Sequence, residues 1–179
     1  FGVKDGWSPD QNPNVNSGPD RGHSHATDKV IKGGDIIQID FGIKLYDRWV
    51  SDIQRFAYVL REDETQAPDS VLHYWESGKA GNRAALAAMK PGVKGVEVDR
   101  AQRVLMEAAG SDYVMWSTGH PVGYVAHDVG PNLGGSQSEK VRPAAQKELK
   151  EGMTFAFDGF HAWKLPEGGT KTISVEEMA

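Results

Sequence analysis

The period of apolar and polar positions changes several times along the chain, and each change marks an element. Ile36, Ile37, Ile39 and Phe41 read as a strand, Trp49 through Val59 as a second, and Leu45-Tyr46-Asp47-Arg48 as the turn between them. Pro68-Asp69 opens a helix that carries Val71, Leu72 and Trp75, then Ala85, Leu86 and Met89, and that Pro91-Gly92 stops. Val98, Ala101, Leu105 and Ala108 recur at helical spacing and predict a second helix ending at Gly110. After a Gly-rich, His-containing stretch, Met153 to Phe157 read as a strand, Pro166-Glu167-Gly168-Gly169 as a turn and Thr172 to Val175 as the returning strand. The first 28 residues, rich in Asn, Pro, Gly, Asp and Ser, read as loop or irregular edge structure ending at a turn or helix-start signal, Thr27-Asp28.

Strand hairpin, two helices, strand hairpin is an order that predicts an α+β fold, with helices on one face of a largely antiparallel sheet. The two hairpins also share a pattern. Ile31 to Asp40 aligns without gaps to Leu149 to Asp158 at a constant offset of 118, each running apolar, Lys, Gly, apolar strand, Asp. Any turn followed by a strand can look this way. As a true repeat, it makes a domain of two similar halves, each presenting an Asp at the same point of its hairpin.

Composition narrows the classes. A chain of 179 residues with 39% hydrophobic and 25% charged residues fits one globular domain. No apolar run approaches the roughly 18 residues of a membrane span. The absence of cysteine excludes disulfide scaffolds, Cys-ligated zinc, iron–sulfur clusters and thiol catalysis, so a metal would have to use His and carboxylates. A net charge of −5 without a Lys/Arg cluster argues against a nucleic-acid surface. These features predict no nucleic-acid or membrane partner and a cytoplasmic location.

The carboxylates carry the chemistry. Taking Tyr46 as the turn centre makes Asp40 and Asp52 directly opposed on one face of the first hairpin, with Cβ atoms about 5 Å apart. Asp158 and Glu176 repeat that geometry about Glu167. Opposed like charges repel, and the Asp residues have apolar neighbours: Ile39 and Phe41 beside Asp40, Phe157 and Phe160 near Asp158. Four converging carboxylates would need roughly two divalent cations, which points to a two-metal hydrolytic site. Gly119-His120-Pro121-Val122-Gly123 and Ala126-His127-Asp128 add two His in a Gly-rich run, one fit to complete an oxygen-rich site and one free for catalysis. Trp116 lies close enough to His120 to line a pocket. His23 and His25 are a weaker pair, and His73 and His161 read as structural or surface residues. No P-loop, Gly-x-Ser-x-Gly or His-Glu-x-x-His pattern occurs.

Taken together, Ile39-Asp40-Phe41-Gly42, Ser51-Asp52-Ile53-Gln54-Arg55, Gly119 to Gly123, His127-Asp128, Glu151-Gly152-Met153 and Glu176 resemble the pita-bread metallopeptidases: methionine aminopeptidases, Xaa-Pro aminopeptidases and prolidases. The resemblance runs from about Asn14 to Ala179. The Ser-Asp-Ile-Gln-Arg form and the Ser17-Gly18-Pro19 to His23 segment look closest to the Xaa-Pro aminopeptidase and prolidase branch. It implies a pseudo-twofold antiparallel sheet with helices on one face. It implies two divalent ions, Mn²⁺ ahead of Co²⁺ or Zn²⁺, held by Asp40, Asp52, His120, Asp158 and Glu176, with Asp52 and Glu176 bridging. His127 and His23 would contact substrate and serve catalysis, Trp116 would line the substrate pocket, and Asp158 would handle the proton.

The implied activity is hydrolysis of short peptides at Xaa-Pro bonds, by a metal-bridging water attacking the scissile carbonyl; the family leaves room for a homodimer. Two positions depart from the pattern: Asp158 stands where the family has Glu, and Ser174 where an Arg usually precedes the last Glu by two residues. They motivate an alternative, a catalytically weakened pita-bread protein that binds peptides. A creatinase-like hydrolase using the fold without metal would lack several of these carboxylates. The family's catalytic domain has a helical pair before the first hairpin and continues its last strand past the final Glu. Residues 1–179 are therefore expected to be most of a single catalytic domain, cut at both ends.

Overall fold

The computed structural model describes residues 3–7, 13–18 and 27–179. The first hairpin is more interrupted than its apolar pattern predicts. Within the region read as loop lie two edge strands, β1 (Val3–Asp5) and β2 (Asn14–Asn16). β3 (Ile36–Phe41) ends at Gly42, and β4 (Ile43–Leu45) follows. The predicted strand from Trp49 to Val59 is two, β5 (Trp49–Val50) and β6 (Ile53–Tyr58), broken at Ser51-Asp52. Helices α1 (Asp69–Ala88) and α2 (Gly95–Ala108) follow, then a short strand that the sequence pattern missed, β7 (Gly119–Pro121). The second hairpin, β8 (Phe155–Lys164) and β9 (Thr170–Met178), is longer than predicted.

The two halves match. β3 lies between β2 and β6, and β8 between β7 and β9, all antiparallel. The turns before β3 and β8 are the same turn: Asp35 N donates to Lys32 O at 3.1 Å, and Met153 N to Lys150 O at 3.2 Å, both offset by 118 residues. Gly34 and Gly152 sit at the same point with φ of +93° and +83°, a region only glycine enters without strain. β6 and β9 lie side by side across the junction, where Arg55 Nη1 donates to Glu176 O at 3.0 Å.

The second hairpin pairs as predicted, Asp158 directly opposite Glu176. The first does not: Asp40 faces Gln54, and Asp52 lies two residues further along. The turn explains this. Tyr46 and Asp47 both adopt left-handed φ, 54° and 56°, and Leu45 pairs with Trp49, so the loop centres on Asp47 rather than Tyr46. A shift of two residues preserves the face, so Asp40 and Asp52 become diagonal neighbours on the same side.

Each helix buries only part of the side its apolar residues predict, Ala85 in α1 and Val98 in α2. α1 buries Ser77, Gly78, Gly81, Asn82 and Ala85 while Leu72 and Leu86 are exposed. Small residues let its backbone approach β8, where Asn82 Nδ2 donates to Phe157 O at 3.1 Å and Val175 O at 3.0 Å. α2 buries Val98, Asp99, Gln102, Arg103 and Met106, and turns Leu105 and Ala108 outward. Polar burial in α2 is tolerated because Asp99, Gln102 and Arg103 are all bonded. Arg103 Nε meets Asp99 Oδ1 at 3.2 Å and its Nη1 donates to Val114 O at 2.9 Å. Thr118 Oγ1 donates to Asp99 Oδ1 at 2.6 Å, and Gln102 bonds both Thr118 Oγ1 and Phe160 N. This network ties α2 to the segment that leads into β7. An apolar core of Ala85, Val98, Leu133, Leu149, Phe155 and Phe157 fills the space between the helices and β8. No helix among the described residues is long and apolar enough to cross a membrane.

Candidate metal centre

Five elements bring their polar residues to one cavity of about 690 Å³. β3 supplies Asp40, the break before β6 supplies Asp52, β7 His120, β8 Asp158 and β9 Glu176; the loop after β7 adds His127. Gly119 allows this closeness: a Cβ there would lie 2.2 Å from Ala156 O, so only glycine lets β7 set His120 against β8. Beneath the cavity, Val50, Val122, Ala126 and Ala156 pack with Trp7 and Met178. Asp52 N donates to Met178 Sδ at 3.3 Å, which holds the broken strand against β9.

The four carboxylates are only 1 to 7% exposed, so their charges meet with little water to screen them. Oxygens of Asp40, Asp52 and Glu176 lie within 4.8 Å of one another, and so do ligand atoms of Asp52, His120 and His127. Asp52 belongs to both groups and sits between them. Asp158 lines the same cavity, yet falls outside both groups among the described residues. Burial, together with the charges of Asp158, Asp52 and Asp40, pushes the Glu176 carboxyl well above its ordinary range, against a hydrogen bond from Gln54 that lowers it.

His120 responds in the opposite sense. Burial alone would lower its pKa, but the hydrogen bond and charge of Asp52, the Pro121 carbonyl and the charge of Asp158 raise it above the ordinary value. Its Nδ1 lies 3.2 Å from Pro121 O, an acceptor only, so Nδ1 carries a proton. Its Nε2 stands 3.3 Å from Asp52 Oδ2. Two acceptors cannot face each other at that distance unless a proton or a cation is shared between them. Glu176 Oε2 is likewise buried with no hydrogen-bond partner among the described residues. These are the features of a donor set suited to hard or borderline divalent cations, with one imidazole oriented through its backbone-bonded nitrogen.

Trp116 and Phe160 line the cavity, Trp116 as the sequence predicts. His127 is exposed, its ring centroid 4.1 Å from that of His120. His161 is structural, buried with Nδ1 2.9 Å from Ser77 Oγ. His23, expected to contact substrate, and His25 lie outside the described residues. Among the lining residues that escaped sequence reasoning are Trp7, Asn14, Gln54, Ser117 and Asn132. Asn14 and Trp7 carry no periodic signal, whereas Gln54 could have been found, because strand alternation puts it on the face of Asp52.

Residues 3–178 match a family model described as "Metallopeptidase family M24". The chain is 31% identical over 151 residues, 83% of its length, to the Xaa-Pro dipeptidase of Pyrococcus furiosus, covering 38% of that protein. It is 35% identical over 118 residues, 64% of its length, to a probable dipeptidase PepE of Mycobacterium bovis, covering 30% of it. The solved prolidase structure from Pyrococcus furiosus superposes with a TM-score of 0.76 at 26% identity, over 93% of this chain and 45% of that one. The chain thus spans between 30 and 45% of the length of these relatives.

Proposed function

Since the chain belongs to metallopeptidase family M24 and has its pita-bread fold, we propose that it is the catalytic part of a metal-dependent peptidase acting on short peptides at Xaa-Pro bonds. The observation that carries this reading is the convergence of four buried carboxylates and two imidazoles, with Asp52 common to both ligand groups. Asp40, Asp52, His120, Asp158 and Glu176 would hold two divalent cations, Mn²⁺ first. Bound cations would supply the Lewis acidity that polarises a carbonyl and makes water nucleophilic near neutral pH. The cavity, at about 690 Å³, suits a small peptide rather than a folded chain.

The chain's own residues complete the chemistry. His127, exposed beside His120, donates a hydrogen bond to the carbonyl oxygen as negative charge develops there. Asp158 accepts the proton of the attacking water and returns it to the leaving amine. Trp116 and Phe160 wall the substrate. The test is to load the protein with Mn²⁺, count bound metal and follow hydrolysis of Xaa-Pro dipeptides and tripeptides. Two ions per chain with turnover is the expected result; no metal uptake and no hydrolysis would refute it.

One observation favours a second reading, a weakened peptide-binding protein. Asp158 falls outside both ligand groups, as a side chain one methylene shorter than Glu would. Asp158→Glu separates the two readings: a large gain of turnover in an otherwise inert protein supports the weakened form, and little change in an active one supports the peptidase.

A further inference from the structure

Three buried polar side chains beside the metal centre have no part in the chemistry above. Gln38, Gln54 and Ser174 are 2, 5 and 3% exposed, and they meet where β3, β6 and β9 come together. Gln38 Nε2 donates to Gln54 Oε1 at 2.9 Å, and Ser174 Oγ donates to the same oxygen at 2.7 Å. A carboxamide oxygen has two lone pairs, so both are occupied. Turning the amide over would set its NH₂ against the Gln38 Nε2 donor and lose that bond in a dry interior, while the Ser174 hydroxyl could turn to accept. The NH₂ of Gln54 is therefore the end left facing the cavity that Gln54 and Glu176 both line, and it lowers the pKa of the Glu176 carboxyl.

This fixes more than Gln54. Glu176 Oε2 is buried without a hydrogen-bond partner among the described residues, and the residue contributes an oxygen to the group with Asp40 and Asp52. Strand alternation gives the arrangement its direction. Ser174 precedes Glu176 by two residues on β9, and Gln54 follows Asp52 by two and faces Asp40 across the β3–β6 ladder. All these side chains share one face. We propose that Gln54, locked in one amide orientation by Gln38 and Ser174, is a positioning residue that aims the Glu176 carboxylate at the cation site. The hydroxyl at Ser174, where the resembled family carries Arg, acts on Glu176 through Gln54. This inference rests on the metal-centre reading.

The test is Mn²⁺ binding by the full chain, measured by titration calorimetry and by electron paramagnetic resonance of the loaded protein, with thermal unfolding of the metal-free form alongside. Gln54→Met and Ser174→Ala are expected to weaken Mn²⁺ binding by about tenfold or more and to alter the resonance spectrum. Ser174→Thr, which keeps the hydroxyl, retains the wild-type affinity. In the Gln54→Met background, Ser174→Ala has no further effect. Should Gln54→Met not fold, Gln38→Leu and Ser174→Ala replace it in the cycle: either leaves one donor on Oε1, so the double variant loses more than the product of the singles. Unchanged affinity in folded variants, or independent effects in the cycle, overturns the positioning role while leaving the metal centre standing. A wild-type chain that takes up no Mn²⁺ overturns both.

Discussion

Gly159 is the point where α1 rests on the strand that carries Asp158, and Gly159→Ala is expected to cost the protein a large share of its stability. A Cβ at that position would lie 1.8 Å from Gly78 O and 2.2 Å from Asn82 N, both backbone atoms that cannot swing aside. Ordinary contact begins near 3.4 Å, so the helix must retreat by about 1.6 Å. That movement takes Asn82 Nδ2 out of reach of Phe157 O and Val175 O, now 3.1 and 3.0 Å away. Two lost bonds at about 1 kcal/mol each and a stranded buried amide at about 1–3 kcal/mol follow. Loosened packing of Ala85 over Phe155 and Phe157 adds about 1–2 kcal/mol. The total, about 4–7 kcal/mol, is a large part of the roughly 5–15 kcal/mol that holds a domain folded. Gly78→Ala is the internal control. Its Cβ would meet Gly159 O at 3.0 Å, a few tenths inside ordinary contact. The strain is offset by about 1 kcal/mol of helix propensity. Urea and thermal unfolding followed by circular dichroism should show Gly159→Ala melting about 10 °C or more below wild type and Gly78→Ala close to it. Equal effects of the two, or a Gly159→Ala variant within about 1 kcal/mol of wild type, would refute the seating of α1 on β8 through these glycines.

Three further outcomes follow from named contacts. Arg103→Met leaves the buried Asp99 without its cation, and urea unfolding should register a loss of about 3–5 kcal/mol; pairing it with Asp99→Asn should recover part of that, because the stranded charge is gone. Burial, with the charge of His73, holds the His161 imidazole below its ordinary pKa. The unfolded chain therefore binds the proton first, and stability is complete above the unfolded pKa of about 6.5 and declines as pH falls through it. His161→Gln should flatten that part of the stability profile between about pH 7.5 and about pH 5.5; an unchanged slope would count against it. Tyr46 is 62% exposed and holds φ of 54°. Tyr46→Asn, better suited to that region, should raise the melting temperature by about 2–4 °C for a gain of up to about 1 kcal/mol.

What the sequence could reveal was local. Alternation marked both hairpins, proline and glycine bounded the helices, and the shared Lys-Gly-strand-Asp pattern disclosed two halves that the matching turns at Asp35 and Met153 bear out. The Asp158–Glu176 pairing was legible because the Pro166 to Gly169 turn has an evident centre. The first hairpin was misjudged by two residues because a left-handed conformation at Tyr46 leaves no signature in that residue type. The buried faces of the helices were legible only in part: Ala85 and Val98 are in the core, but the polar residues beside them gave no sign of burial. Asn82 is tolerable in the interior only because its acceptors arrive from 75 and 93 residues away, and Gln102 because Thr118 and Phe160 meet it.

The residue types able to hold a cation, His and carboxylate without cysteine, were determined by the sequence alone, as was the placement of Asp40, Asp158 and Glu176 on strands of two similar hairpins. Only the tertiary structure decided that Asp52 stands between the two ligand groups, that Asp158 stops short of both, and that Gln38 and Ser174 both donate to Gln54 Oε1. Periodicity reports which side of an element a residue occupies. Distances of a few ångströms between five elements spread over more than a hundred residues depend on how those elements pack, and the Gly78–Gly159 and Gly119–Ala156 approaches set that packing.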